Sequence, residues 1–174
     1  MTDIPGARVD DRLHSRVLEA PLAAPRRGIM LHYDDSSRDD WAVEWFSDPR
    51  CTNGYTWLVL DDGRVIELAD PAMRTPHAGP CRTPMANSVY YGIAAATNGL
   101  VPATDAQLTS IAALGAAVIR QHRWWCRSIG DLESRVVGHD EQAIWTAAYT
   151  WRRELWGRTG RKVDPTGRRG DGRS

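Results

Sequence analysis

The tripeptide Asp61-Asp62-Gly63 stands between two apolar-rich runs, residues 55–60 and 64–68, and constrains the chain more than any other local feature. An Asp-Gly step supplies the positive φ that a tight hairpin turn needs, so the two runs are expected to pair as antiparallel strands. Upstream, Gly28-Ile29-Met30-Leu31 reads as a buried strand that delivers His32 at its end, with Ser36 or Ser37 capping a helix near residues 38–46. Residues 90–96 read as a further strand. Thr104-x-x-Gln107 is a capping box, opening a helix that runs to about Trp125 with Leu108, Ile111, Leu114, Val118 and Ile119 as its buried stripe. Arg135-Val136-Val137-Gly138 makes a short strand ending on His139, and a tryptophan-rich helical segment follows from about residue 141 to 156. Residues 71–87, rich in Pro, Gly and Thr, form a long loop that contains His77-Ala78-Gly79; loops of that length are often functional.

Residues 1–27 carry Pro5, Gly6, Pro21 and Pro25 around a short helical pattern, Val9, Leu13 and Val17, and are expected to form an arm that docks on the domain. The first 13 residues hold Asp3, Arg8, Asp10, Asp11 and Arg12 where a signal peptide needs an apolar run, so the protein is expected to be made in the cytoplasm. No stretch approaches the roughly 20 apolar residues of a membrane span. The 22 basic and 22 acidic residues balance, which argues against broad adhesion to nucleic acid or anionic membrane. That balance is segregated: from Arg152 onward there are eight basic residues against three acidic ones. Only one cation is lysine, Lys162, among 21 arginines. Cys51, Cys81 and Cys126 form no Cys-x-x-Cys pair and read most simply as free thiols, a Cys51–Cys81 bridge being the alternative in an oxidising space. Eight tryptophans against one phenylalanine could line a groove for sugar or peptide as well as fill a core.

His32 and His139 each follow an apolar strand, where scaffolds place rigid site residues. Asp164 stands before Pro165, which denies its backbone the α region. Two imidazoles and one carboxylate make a catalytic zinc set, in which three protein ligands leave the fourth position to a water with a pKa of about 7. The two histidines are 107 positions apart and no short zinc motif occurs, so spacing alone favours ordinary polar histidines over zinc ligands.

The ordered series Leu31-His32-Tyr33, Gly54-Tyr55-Thr56-Trp57, Asp62-Gly63-Arg64-Val65, His77-Ala78-Gly79, Thr104-x-x-Gln107, Gly138-His139-Asp140-Glu141 and Lys162-Val163-Asp164-Pro165 resembles the zinc N-acetylmuramoyl-L-alanine amidases of the type 2 family. That family includes phage lysins, muropeptide-recycling amidases and peptidoglycan recognition proteins. The resemblance implies an α/β fold, a central mixed β-sheet flanked by helices, with an arm at 1–27, a catalytic domain at 28–167 and a basic tail at 168–174. It implies Zn2+ held by His32, His139 and Asp164, catalysis by Tyr55 and Lys162, and substrate held by His77. Peptidoglycan is then the partner, and a monomer the expected state. Recycling members carry a catalytic glutamate where this chain has Ala94 in Gly92-Ile93-Ala94, and Ala94 cannot move protons. Thr56 replaces a histidine common after the strand tyrosine, and the 25-position gap from His139 to Asp164 is longer than usual. These features favour a phage endolysin that reaches the wall after release; an intracellular recycling amidase and a non-catalytic recognition module are the alternatives.

Overall fold

The computed structural model describes residues 4–13, 18–36, 38–98 and 101–139. Six strands form one mixed sheet: β1 (Asp11–Arg12), β2 (Gly28–Tyr33), β3 (Trp57–Val59), β4 (Val65–Glu67), β5 (Tyr90–Ala95) and β6 (Val136–Gly138). Their spatial order is β1-β4-β3-β5-β2-β6, with β3 and β4 antiparallel and every other pair parallel. The helices are α1 (Asp39–Ser47), α2 (Ala86–Val89), α3 (Asp105–Gln121) and α4 (Ile129–Arg135). Among the described residues no helix is long and apolar enough to cross a membrane.

The Asp-Asp-Gly hairpin closes as its residues demand. Gly63 takes φ +85°, and Leu60 and Arg64 close the turn through the Leu60 amide and the Arg64 carbonyl at 2.9 Å. β2 and β5 are buried along almost their whole length, which is why they read as continuous apolar runs rather than alternating ones. One face of the sheet presents Ile29, Leu31, Trp57, Val59, Tyr91 and Ile93 to α3. The opposite face is covered in two parts. Ala42 and Phe46 of α1 pack on Leu58, Ile66 and Ala94, while α2 and the loop before it pack on Met30, Tyr90 and Val137. His32 lies on this second face, two residues along β2 from Met30 and opposite Ala94 of β5.

Several local expectations are corrected. The N-terminal residues do not follow their helical spacing; Asp11–Arg12 pairs in parallel with β4, and the Asp10 carboxylate accepts from the Val65 amide at 2.8 Å. Unpaired edge groups on β4 recruit the segment as a strand. Ile4 is buried in the α3 core and Arg26 is buried too, so the expected arm packs into the domain at these points. The N-cap of α1 is Arg38 without a side-chain bond, not a serine. The capping box of α3 forms as expected, but the helix ends at Gln121, where Arg123 turns left-handed at φ +51° and His122 stacks on Trp124 at 4.6 Å. His122 is half-buried and shares a 2.8 Å hydrogen bond with the Tyr91 hydroxyl. Desolvation, then the nearby Arg26 charge, lowers its pKa.

Ile111, Leu114 and Val118 of the expected α3 stripe are buried, joined by Gln107 and Ala117, while Leu108 is exposed. Gln107 is fully buried, whereas Leu108 and Ile119 border an apolar groove of about 400 Å³ floored by Ile29, Leu31 and Ile93. Gln107 is more than a cap: its amide nitrogen donates to the carbonyls of Val59 (3.1 Å) and Ala96 (3.3 Å), while its oxygen accepts from the Thr104 amide (2.9 Å). It thereby ties the start of α3 to the ends of β3 and β5. Cys51, Cys81 and Cys126 are free thiols. Trp57 lies in the core, while Trp41, Trp45 and Trp125 are exposed.

Candidate active site

Parallel strands carry their side chains to a common end of the sheet, and in open α/β sheets ligands bind beyond the carboxyl ends of strands. Here β2 pairs with β6 in the register Met30↔Val137 and Leu31↔Gly138, so the next residues along, His32 and His139, arrive level with each other. Their rings lie 4.8 Å apart at 35°. Residues 107 positions apart in sequence thus become immediate neighbours. The residue beside His32 on the other flank is Ala94, fully buried, so no carboxylate stands there.

Two more rings surround His32. Tyr55 lies 4.8 Å away and packs in turn against Phe46 of α1 at 5.8 Å. Its hydroxyl donates to the Tyr33 carbonyl at 3.1 Å. Desolvation, then the charges of Asp34 and Asp35, raises the phenol pKa, so Tyr55 is a proton-bearing donor at neutral pH and not a base. His77 lies 5.1 Å from His32, edge-on, with His77 Nδ1 3.0 Å from His32 Nε2. Its Nε2 lies 3.2 Å from the Tyr90 carbonyl, an oxygen that also accepts from the buried Arg26 guanidinium. Burial pushes the His77 imidazole down to about 3, so it is neutral. His77, the residue expected to hold substrate, has both ring nitrogens engaged by protein groups and is buried. His139 Nε2 lies 3.0 Å from the Ala78 carbonyl.

Three residues at the site escaped the sequence reading. Asn87 Oδ1 accepts from the amides of His77 (3.0 Å) and Ala78 (2.8 Å), pinning the loop. Gly92, opposite Met30 on β5, leaves the space that the His77 ring fills: a Cβ there would come within 2.9 Å of His77 Cγ. Asp34 accepts from the amides of Ser36 and Thr97, and burial pushes its carboxyl up to about 6. An Asn ten residues after a loop histidine and a Gly inside a strand carry weak signals, since each acts through a contact that only the folded chain makes.

Two imidazoles side by side, each with one nitrogen turned to a protein group, fit two of the three ligand positions of a zinc site. Among the described residues no third His, Cys, Asp or Glu completes such a group. Asp164 and Lys162 lie outside the described residues.

Residues 22–167 match the family model described as N-acetylmuramoyl-L-alanine amidase. No curated protein matches the chain in sequence. Among solved structures, a selenomethionine derivative of AmpD superposes with a TM-score of 0.64 at 17% identity, over 82% of this chain and 88% of that one. AmpDh3 from Pseudomonas aeruginosa, in complex with an anhydromuramic pentapeptide, gives 0.54 at 16%, over 91% and 73%. Drosophila peptidoglycan recognition protein SD gives 0.53 at 17%, over 78% and 86%. At these identities the likeness concerns the fold, and the fold is the one the resemblance implied: a mixed sheet flanked by helices.

Proposed function

The chain belongs to the N-acetylmuramoyl-L-alanine amidase family, and on that premise we propose that it is a zinc-dependent peptidoglycan hydrolase that cuts the amide between the lactyl group of N-acetylmuramic acid and L-alanine. The observation that carries this reading is the pairing of His32 with His139 at adjacent strand ends, beside Tyr55. His32, His139 and Asp164 would hold the metal, and zinc bound there supplies a Lewis acid for the scissile carbonyl and a water of lowered pKa.

The chain's own residues supply the rest. Tyr55, held as a neutral phenol, can turn its O–H from the Tyr33 carbonyl toward an oxygen that gains charge in the transition state. Lys162 serves as a second donor, this one cationic, and Lys162 or Tyr55 relays a proton to the leaving amine. Ala94 supports a lytic rather than a recycling role, because it removes the strand carboxylate on which the recycling mechanism relies. In this reading the enzyme is a phage endolysin.

The test incubates purified protein with intact peptidoglycan, with and without a chelator, and assays new alanine amino groups and reducing sugar ends. New amino groups that vanish on chelation and return with zinc are expected. Reducing ends would indicate a glycosidase, and binding without either product would indicate a recognition module. Asp164→Ala and His139→Ala are expected to lose zinc, whereas Lys162→Ala should retain it and lose most turnover. Full activity in that last variant removes lysine from the mechanism.

A further inference from the structure

The loop residues His77 and Ala78 touch both proposed metal-binding histidines, and they do so with different atoms. A carbonyl oxygen only accepts hydrogen bonds. His139 Nε2, 3.0 Å from the Ala78 carbonyl, must therefore carry a proton. By the same logic His77 Nε2, 3.2 Å from the Tyr90 carbonyl, carries one. A singly protonated His77 ring then has its lone pair on Nδ1, so across the 3.0 Å contact the donor is His32 Nε2–H. Both His32 and His139 emerge as Nε2–H tautomers, with Nδ1 the lone-pair nitrogen of each.

We infer that His77 and the Ala78 carbonyl are positioning groups that set the tautomer and tilt of His32 and His139, with Asn87 locking the loop that carries them and Gly92 making the space His77 needs. The supporting parts are all in contact. Two backbone amides converge on Asn87 Oδ1 at 3.0 and 2.8 Å, which only an oxygen acceptor satisfies. Asn87 sits on α2, whose N-cap Met85 adopts a left-handed conformation at φ +56°. Below the ring, Gly92 would bring a Cβ within 2.9 Å of His77 Cγ and 3.2 Å of both Cβ and Cδ2. Ala78 itself is fully buried, so its carbonyl meets His139 away from bulk water. One loop of consecutive residues thus aligns two imidazoles from two different strands, which explains why His77 is buried behind His32 rather than presented to a substrate. Outer partners of this kind raise ligand basicity, and their removal typically lowers metal affinity by about 10–100-fold.

The metal consequence rests on the zinc reading above; the tautomers do not, and the decisive measurement is made without metal. Long-range proton–nitrogen NMR spectra of metal-free wild-type protein labelled at histidine, at about pH 8 where imidazoles are neutral, should show Nε2–H at His32 and at His139. An Nδ1–H tautomer at either residue overturns the inference. His77→Ala should leave His32 as a mixture of tautomers while His139 stays Nε2–H, and His77→Asn, whose Oδ1 stands near the place of Nδ1, should restore His32. Zinc competition against a chromophoric chelator should show about a 10–100-fold loss in His77→Ala and a partial recovery in His77→Asn. An unchanged His32 tautomer or an unchanged zinc affinity in His77→Ala overturns it as well. Failure of the amidase reading looks different: wild-type protein with both Nε2–H tautomers that releases no alanine amino groups from peptidoglycan.

Discussion

Replacing Gln107 by leucine tests whether a residue first recognised as half of a capping box is in fact the pin between α3 and the sheet. The substitution nearly conserves volume, so no large cavity opens. It removes two bonds donated to the Val59 and Ala96 carbonyls and one accepted from the Thr104 amide. Val59 O keeps the bond from the Ala96 amide at 2.8 Å, so the loss falls mainly on the Ala96 carbonyl and on Thr104. A buried polar group left without its partner costs about 1–3 kcal/mol, and a lost cap at an exposed helix start about 1 kcal/mol. The added apolar burial returns part of this, roughly 1 kcal/mol. The expected net loss is about 1–3 kcal/mol, or a fall in Tm of about 2–12 °C for a chain of this size. Urea unfolding followed by circular dichroism measures it. Thr104→Ala is the control, because it breaks the cap and the 2.8 Å bond to the Asp61 carbonyl but leaves the buried donor bonds of Gln107 in place. That variant should lose about 1 kcal/mol. Equal losses in the two variants, or a loss under about 0.5 kcal/mol in Gln107→Leu, would show that the buried amide adds nothing beyond the cap.

Tyr55→Phe deletes the hydrogen bond to the Tyr33 carbonyl while keeping the ring between His32 and Phe46, so stability should fall by about 1 kcal/mol. If the phenol serves the transition state, kcat should fall by about 100-fold or more with zinc affinity unchanged; unchanged kcat would restrict Tyr55 to packing. His122 gives a pH signature. Its pKa is lowered on folding, so below the ordinary imidazole value of 6.5 the unfolded chain binds more protons and stability must fall as the pH drops. His122→Gln should flatten that fall between about pH 7 and pH 5, read as urea midpoints across the range; an unaltered slope would assign the effect to another group.

Much of the fold was legible because its signals are local. The Asp61-Asp62-Gly63 turn, the Thr104/Gln107 box and the unbroken apolar runs of β2 and β5 each specify backbone geometry within a few residues. The misreadings are long-range. Val9 and Leu13 have helical spacing, yet the Val65 carbonyl and amide draw Asp10 into an extended edge. Residues after Gln121 could continue a helix, but the His122 contacts with Tyr91 and Trp124 turn the chain. His77 was visible in its loop, while its partners were not: the His32 ring, the Tyr90 carbonyl and the hollow over Gly92 come from two strands of the sheet.

By itself, then, the sequence determined which residues can do chemistry and where the strands end, because turn, cap and burial patterns are properties of short segments. It placed His32 and His139 at strand ends and showed that Ala94 offers no carboxylate. Only the tertiary structure sets the two histidine rings 4.8 Å apart and brings His77 against one of them. The physical reason is strand register: parallel pairing of β6 against β2 brings positions 32 and 139 level, and no local preference encodes which strand will lie beside which.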